Sequence, residues 1–287
     1  MFTFNELCNY LKDLYLEKFD QNKSIFNELI FFYSQKVKSP ENLISLRNEK
    51  IDFDHQKLEK SLQNYFQEFQ PLEYIIHKKI FHGLEFYVDN RVLIPRDETQ
   101  TVLDTFINDT KSIIKPNDAI LDLCTGSGCL AISIAKEFNT NPVYASDFSQ
   151  DALNVALKNI EIHNIKNLEL IHANFLDVLQ QIPNPVKFVI CNPPYLDYDD
   201  PLIQKSVSNF EPSMALYAPF AGLHFYQVLF NEMLTNHQFK PKVVICELNH
   251  TMAHAIHSLA FPLRKNYNIN LVRDLNNDLR VIKLILK

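Results

Sequence analysis

The chain has 287 residues, of which 46 % are hydrophobic and 22 % charged, with a formal net charge of −6. This balance describes a folded globular chain and excludes collagen-like and low-complexity architectures. No stretch reaches the roughly 18 uncharged apolar residues of a membrane span, and the acidic total argues against a protein whose affinity rests on nucleic-acid phosphates.

The first twenty residues, MFTFNELCNYLKDLYLEKFD, alternate apolar residues with charges and lack the basic start and apolar block of a signal peptide. Five cysteines, odd in number and without a CxxC pair, point to a reducing, cytoplasmic setting without a disulfide framework. Residues 1–80 read as a helical domain. Apolar residues recur at helical spacing at Phe4, Leu7, Leu11 and Leu14, at Phe26, Leu29, Ile30 and Tyr33, and at Leu58, Leu62, Tyr65, Phe66 and Phe69. Ser39-Pro40-Glu41 has the composition of a helix start, and Pro71 closes the last stripe. Acidic and basic residues nearly balance here, so the region is not a basic nucleic-acid arm.

Residues 80–95, IFHGLEFYVDNRVLIP, predict a β-hairpin around Gly83 and Asp89-Asn90, a linker over 81–101 between two domains. A helix is expected to start near Asp97-Glu98-Thr99. From about residue 118 strands and helices alternate through AILDLC, CLAISIAKEF, VYASD, DALNVALKNIEIHN, LELIHANF, VKFVICNPPY, KVVICELN and VIKLIL. That alternation predicts an α/β domain over 102–287 with a largely parallel sheet.

Only four glycines occur, where ordinary usage would give about twenty. Two of them stand in Asp122-Leu-Cys-Thr-Gly-Ser-Gly128, between a strand and a helix, a nucleotide-binding layout in which glycine lets the backbone approach a ligand. The string is neither GxGxxG nor a P-loop, since no phosphate-binding lysine follows. Asp147 ends the next strand, placed either to accept ribose hydroxyls or to cap the following helix. Asn174 and Phe175 end the third strand, where an amide could read an adenine edge and a ring could stack on it; a simple strand-end turn is the alternative.

Cys191-Asn-Pro-Pro-Tyr195 is the most specific feature. It leaves an apolar strand at the edge where open α/β sheets hold their ligands. The Asn192 side-chain oxygen and the Pro193 carbonyl are two acceptors on a stiff backbone, with Pro194 and the flat face of Tyr195 beside them. Such a pair suits a planar NH₂ group, orienting its nitrogen toward an electrophile and carrying developing positive charge.

These segments resemble the bacterial glutamine N-methyltransferases that modify peptide chain release factors. QPLEYI, FHGLEFYVDNRVLIPRDET, ILDLCTGSGCLAISIA, ASDFSQDALNVALKNIEIHN, VICNPPYL, EPSMAL, AGLHFYQVL and RDLNNDLRVIKL follow in that family's order and spacing. The resemblance implies a class I S-adenosylmethionine-dependent methyltransferase fold, Rossmann-like with a seven-stranded mostly parallel sheet, behind a small N-terminal helical domain that recognises substrate. It implies S-adenosylmethionine as cofactor, held by Asp122, the turn Cys124, Thr125, Gly126, Ser127 and Gly128, Asp147, Asn174, Phe175 and Asn192. It implies Asn192 and Pro193 as catalytic, with Pro194, Tyr195, Arg96, Glu98 and Thr99 on the substrate side. The implied substrate is the glutamine of a Gly-Gly-Gln loop.

Two positions depart from the family pattern. Cys124 replaces the first glycine of the turn, which also resembles a sister branch acting on a ribosomal large-subunit protein, and Asn249 stands where a glycine is usual. A nucleic-acid amino-group methyltransferase is a further alternative, but it would want a basic groove. Direct nucleic-acid binding and membrane association are not expected. A non-catalytic module would predict a degenerate motif where Asn192–Tyr195 is intact. His250, His254 and His257 fall at helical spacing but lack a local acid to complete a metal set, so no metal is expected.

Overall fold

The computed structural model describes residues 2–15, 18, 21–34, 50–51, 54–197 and 205–287. The helix start expected at Ser39-Pro40-Glu41 lies outside them. The chain divides into two compact units, Met1–His77 and Lys78–Lys287.

Among the described residues of the first unit a short strand β1 (Phe2–Thr3) pairs antiparallel with β2 (Lys50–Ile51), helices α1 (Phe4–Tyr15), α2 (Lys23–Ser34) and α3 (His55–Phe66) follow the predicted stripes, and α4 (Leu72–Ile76) follows Pro71. Leu7, Leu11, Phe26, Leu29, Ile30, Leu58 and Leu62 form its core. Two predicted core positions are exposed instead. Leu14 is 52 % exposed because the last turn of α1 turns Tyr15 inward instead, its ring 5.6 Å from both Phe26 and Phe66. Phe69, 61 % exposed, sits beyond the end of α3 in left-handed backbone, where the helical period no longer applies.

The second unit begins with a hairpin of β3 (Lys79–Phe81) and β4 (Leu84–Phe86). Its turn is His82-Gly83, both left-handed, which suits the twist of paired strands. The hairpin is shorter than predicted. Asp89-Asn90 forms a separate turn, in which Asp89 accepts from the Arg91 backbone N–H and is gripped by the Arg91 guanidinium. Helix α5 (Thr99–Thr110) then starts where expected.

The main sheet comprises β5 (Ala119–Leu123), β6 (Val143–Asp147), β7 (Leu168–His172), β8 (Val186–Cys191), β9 (Val243–Glu247), β10 (Tyr267–Arg273) and β11 (Leu279–Leu286). Its order is β10-β11-β9-β8-β5-β6-β7, with only the β10-β11 and β11-β9 pairs antiparallel. Helices α6 (Cys129–Glu137) and α7 (Gln150–His163) complete the first half. The second carries α8 (Lys205–Phe210), α9 (Ser213–Leu216), α10 (His224–Thr235) and α11 (Ala253–Ala260). Side chains of α5 and α6 pack on one face of the sheet and those of α10 and α11 on the other, which is why β5, β8 and β9 read as continuous apolar runs. Strand β10 (Tyr267–Arg273) adds to the strands expected from the apolar runs. It lies at the sheet edge, and Tyr267, Ile269 and Leu271 supply the apolar side of its alternation.

Candidate active site

The C-terminal ends of β5, β6 and β8 open onto a cleft of about 240 Å³, the position such sheets reserve for ligands. Its floor is the glycine turn. Gly128 has φ +81 and caps α6; a side chain there would stand 3.2 Å from Ile132 and 3.3 Å from Ala156. Gly126 has φ +55, and a Cβ on it would meet nothing within 4 Å, so its bare backbone borders open space in the cleft. Asp122 is fully buried beneath the turn, accepting from Thr125 Oγ1 at 2.7 Å through one oxygen and without a hydrogen-bond partner on the other. Burial pushes its carboxyl up to about 7.

Cys124 adopts φ +60, in the left-handed region, which accounts for the glycine expected there. A β-branched residue is an outlier in that conformation. Cys124→Gly is therefore expected to leave stability within about 1 kcal/mol of wild type, strain relief offsetting chain entropy. Cys124→Val should lose about 2 kcal/mol or more, read as the difference in urea midpoints.

Asp147 is not the helix cap. Ser149 caps α7, accepting from the Ala152 N–H at 3.2 Å, while Asp147 takes the Gly126 and Ser149 N–H groups, each at 2.9 Å. Its carboxylate therefore ties the glycine turn to the end of β6 at the cleft wall. Burial raises its pKa, and the backbone donors oppose that shift. Asn174, exposed, makes no side-chain cap bond. Phe175 is buried in left-handed backbone, with its ring 4.8 Å from Phe225.

Asn192 and Pro194 line the same cleft as Cys124, Thr125, Gly126, Ser127, Asp147, Asn174, Phe175 and Thr99. Asp122, Gly128, Pro193, Tyr195, Arg96 and Glu98 are not on its wall. Arg96 instead pairs with the buried carboxylate of Glu211, whose other oxygen accepts the Ile94 N–H at 3.2 Å. Glu98 precedes α5 without a side-chain cap bond.

Two carboxylates behind the cleft escaped the sequence reading. Glu211 opens the EPSMAL segment, and Glu247 ends β9. Glu247 is 1 % exposed and accepts from Thr99 Oγ1 at 2.7 Å and Tyr195 OH at 3.0 Å. An acid closing an apolar strand was the available signal. Asn249, where the family pattern has glycine, has φ −78 and caps a short turn by accepting the Thr251 N–H at 3.1 Å, so no left-handed backbone is needed. Among the described residues no cluster of His, Cys, Asp and Glu is arranged to hold a metal, and no helix is long and apolar enough to cross a membrane.

Residues 97–208 match the methyltransferase small domain family. A release factor glutamine methyltransferase of Lactococcus lactis is 34 % identical over 217 residues, covering 75 % of this chain and 77 % of the relative. The chain belongs to the release factor glutamine methyltransferase family. The namesake from Mycoplasma mycoides is 43 % identical over 182 residues, a stretch that spans 63 % of this chain and 60 % of that relative. Solved structures agree on the fold. A methyltransferase from Pyrococcus furiosus superposes with a TM-score of 0.50 at 16 % identity, covering 72 % of this chain and 91 % of that one. The human methyltransferase 10 domain containing protein gives a TM-score of 0.50 at 15 % identity, covering 71 % and 90 %. The fold is that of a class I methyltransferase, as expected. Both of these bacterial relatives carry the release-factor name, which does not favour the ribosomal-protein branch.

Membership in this family brings S-adenosylmethionine as methyl donor, and the residues present fit it. Gly126 leaves open space over the turn, Asp147 stands at the second strand end, and the third strand end offers an exposed amide and an aromatic ring.

Proposed function

We propose that this chain methylates the side-chain amide nitrogen of the glutamine in the Gly-Gly-Gln loop of peptide chain release factors. The observation that carries the reading is that Asn192 and Pro194 face the same cleft as Gly126 and Asp147. When bound, S-adenosylmethionine supplies an activated methyl group. Asp147 would accept its ribose hydroxyls, Asn174 and Phe175 would attend the adenine, and the turn Cys124–Gly128, braced from beneath by Asp122, would hold the methionine end. The Asn192 side-chain oxygen and the Pro193 carbonyl accept the two N–H bonds of the substrate amide. That fixes the nitrogen in one direction and stabilises the positive charge it develops. Pro194 and Tyr195 stiffen this grip. Arg96, paired with Glu211, shapes the mouth together with Glu98 and Thr99, and the helical unit recognises the release factor. The reading places the enzyme in the cytoplasm, where release factors act, without direct nucleic-acid binding.

Asp147→Ala is expected to weaken cofactor affinity about 10- to 100-fold, the worth of charge-assisted hydrogen bonds. Calorimetry with S-adenosylhomocysteine measures this, and unchanged affinity would remove Asp147 from the ribose site. Labelled S-adenosylmethionine offered with release factor, ribosomal protein or nucleic acid tests the function itself. Label on the release factor supports the reading, and label only on nucleic acid overturns it.

A further inference from the structure

Asn192 is useful to a substrate N–H only if its oxygen, and not its NH₂, faces the substrate. A carboxamide has a donor end and an acceptor end of almost equal size, so something must choose between two orientations that differ by a half-turn. We propose that Glu247 makes this choice through Thr99, a positioning relay that rests on the glutamine-methylation reading above.

The relay runs in one direction. The Glu247 carboxylate can only accept. It takes the proton of Thr99 Oγ1 at 2.7 Å, and on its other oxygen that of Tyr195 OH at 3.0 Å. With its single proton committed to Glu247, Thr99 can offer only a lone pair. The atom facing that lone pair is Asn192 Nδ2, at 3.5 Å, a long contact of the kind that tightens once substrate is bound. Drawing Nδ2 toward Thr99 turns Oδ1 the other way. A reversed amide would set its oxygen against the Thr99 oxygen, acceptor against acceptor, and would offer the substrate N–H a donor.

Both Glu247 oxygens are engaged as acceptors, one by Thr99 Oγ1 and the other by Tyr195 OH. Burial raises the Glu247 pKa, but the two hydroxyl donors and the Arg280 guanidinium, held by Asp274 at 3.0 Å, oppose that shift. Glu247 is not needed merely to anchor its strand. The Tyr226 hydroxyl holds the Glu247 backbone carbonyl at 2.6 Å, and β9 is paired on both sides. Thr99 and Asn192 line the cleft and Glu247 does not, so its carboxylate acts through Thr99.

Thr99→Val keeps the shape and removes the hydroxyl. With intact release factor and S-adenosylmethionine, it is expected to lower kcat/KM for the release factor about tenfold or more, the worth of a lost orienting hydrogen bond. Affinity for S-adenosylhomocysteine should stay at the wild-type value and the loss should fall on kcat rather than on KM, a split that a purely structural role would not give. The melting temperature should drop modestly, because the buried Glu247 carboxylate loses a donor. Thr99→Ser should recover most of the lost rate. Glu247→Gln can donate to Thr99 as well as accept from it, so it should cost a similar factor. Wild-type rates in Thr99→Val or Glu247→Gln, or a Thr99→Ser variant as slow as Thr99→Val, would overturn the relay while leaving glutamine methylation standing. A wild-type enzyme that transfers no methyl group to release factor would remove the underlying reading and the relay with it.

Discussion

Asn192→Ala is expected to lower kcat for methyl transfer about 10²- to 10³-fold, the loss typical of removing one preorganised polar contact to a developing charge. An amide nitrogen is a poor nucleophile because its lone pair is delocalised into the carbonyl. The enzyme gains most by holding both N–H bonds so that the nitrogen faces the methyl donor. Without the Asn192 oxygen, only the backbone carbonyl of Pro193 remains from the pair. The cofactor turn and Asp147 are untouched by the change, so affinity for S-adenosylhomocysteine should stay within about threefold of wild type, as expected for a contact realised mainly in the transition state. Stopped assays with labelled cofactor give kcat and calorimetry gives the affinity. Activity within about threefold of wild type would remove Asn192 from its role.

Gly222→Ala is expected to have the largest effect on stability. Gly222 follows Phe220 and Ala221, and all three are left-handed. A Cβ at 222 would stand 2.1 Å from the Tyr195 carbonyl oxygen and 2.8 Å from Met252 Cε. The oxygen belongs to the backbone and cannot swing away. That backbone is strapped in turn: the Leu196 N–H donates to Leu216 at 2.9 Å, and the Ala218 N–H donates back to Leu196 at 3.0 Å. The added methyl must therefore displace the end of the amide motif. The expected loss is about 3 kcal/mol or more, combining left-handed strain with overpacking, together with most of the activity. Gly126→Ala is the control. Its Cβ meets nothing within 4 Å, so only the conformational cost of about 1–2 kcal/mol applies. Equal melting temperatures for the two variants would refute the assignment of Gly222 as the buttress of Tyr195.

The sequence exposed the parts of the site that are local. The glycine turn, Asp147 and the Asn-Pro-Pro-Tyr motif each sit at the end of an apolar strand, and the alternation of strands with helices brings strand ends to one edge. The parts that escaped are long-range. Thr99 and Glu247 lie 148 positions apart and Ile94 and Glu211 117 positions apart, and no spacing rule joins an acid to a partner at that distance. Their burial, which makes them matter, depends on tertiary packing. Strand β10 escaped because its edge position leaves polar residues on alternate sites and no continuous apolar run. Cys124 shows the converse. Its side chain gives no hint of left-handed backbone, and only the glycine of related sequences pointed to φ +60. In the helical unit the period placed the core stripes correctly and erred at the ends, where Tyr15 displaced Leu14.

The most direct test of glutamine methylation is mass spectrometry of release factor after incubation with the enzyme and S-adenosylmethionine. The peptide carrying Gly-Gly-Gln is expected to gain one methylene mass, located on the glutamine side chain by fragmentation, and to stay unmodified with the Asn192→Ala enzyme. A release factor that stays unmodified while a ribosomal protein gains the methyl group would contradict release-factor methylation.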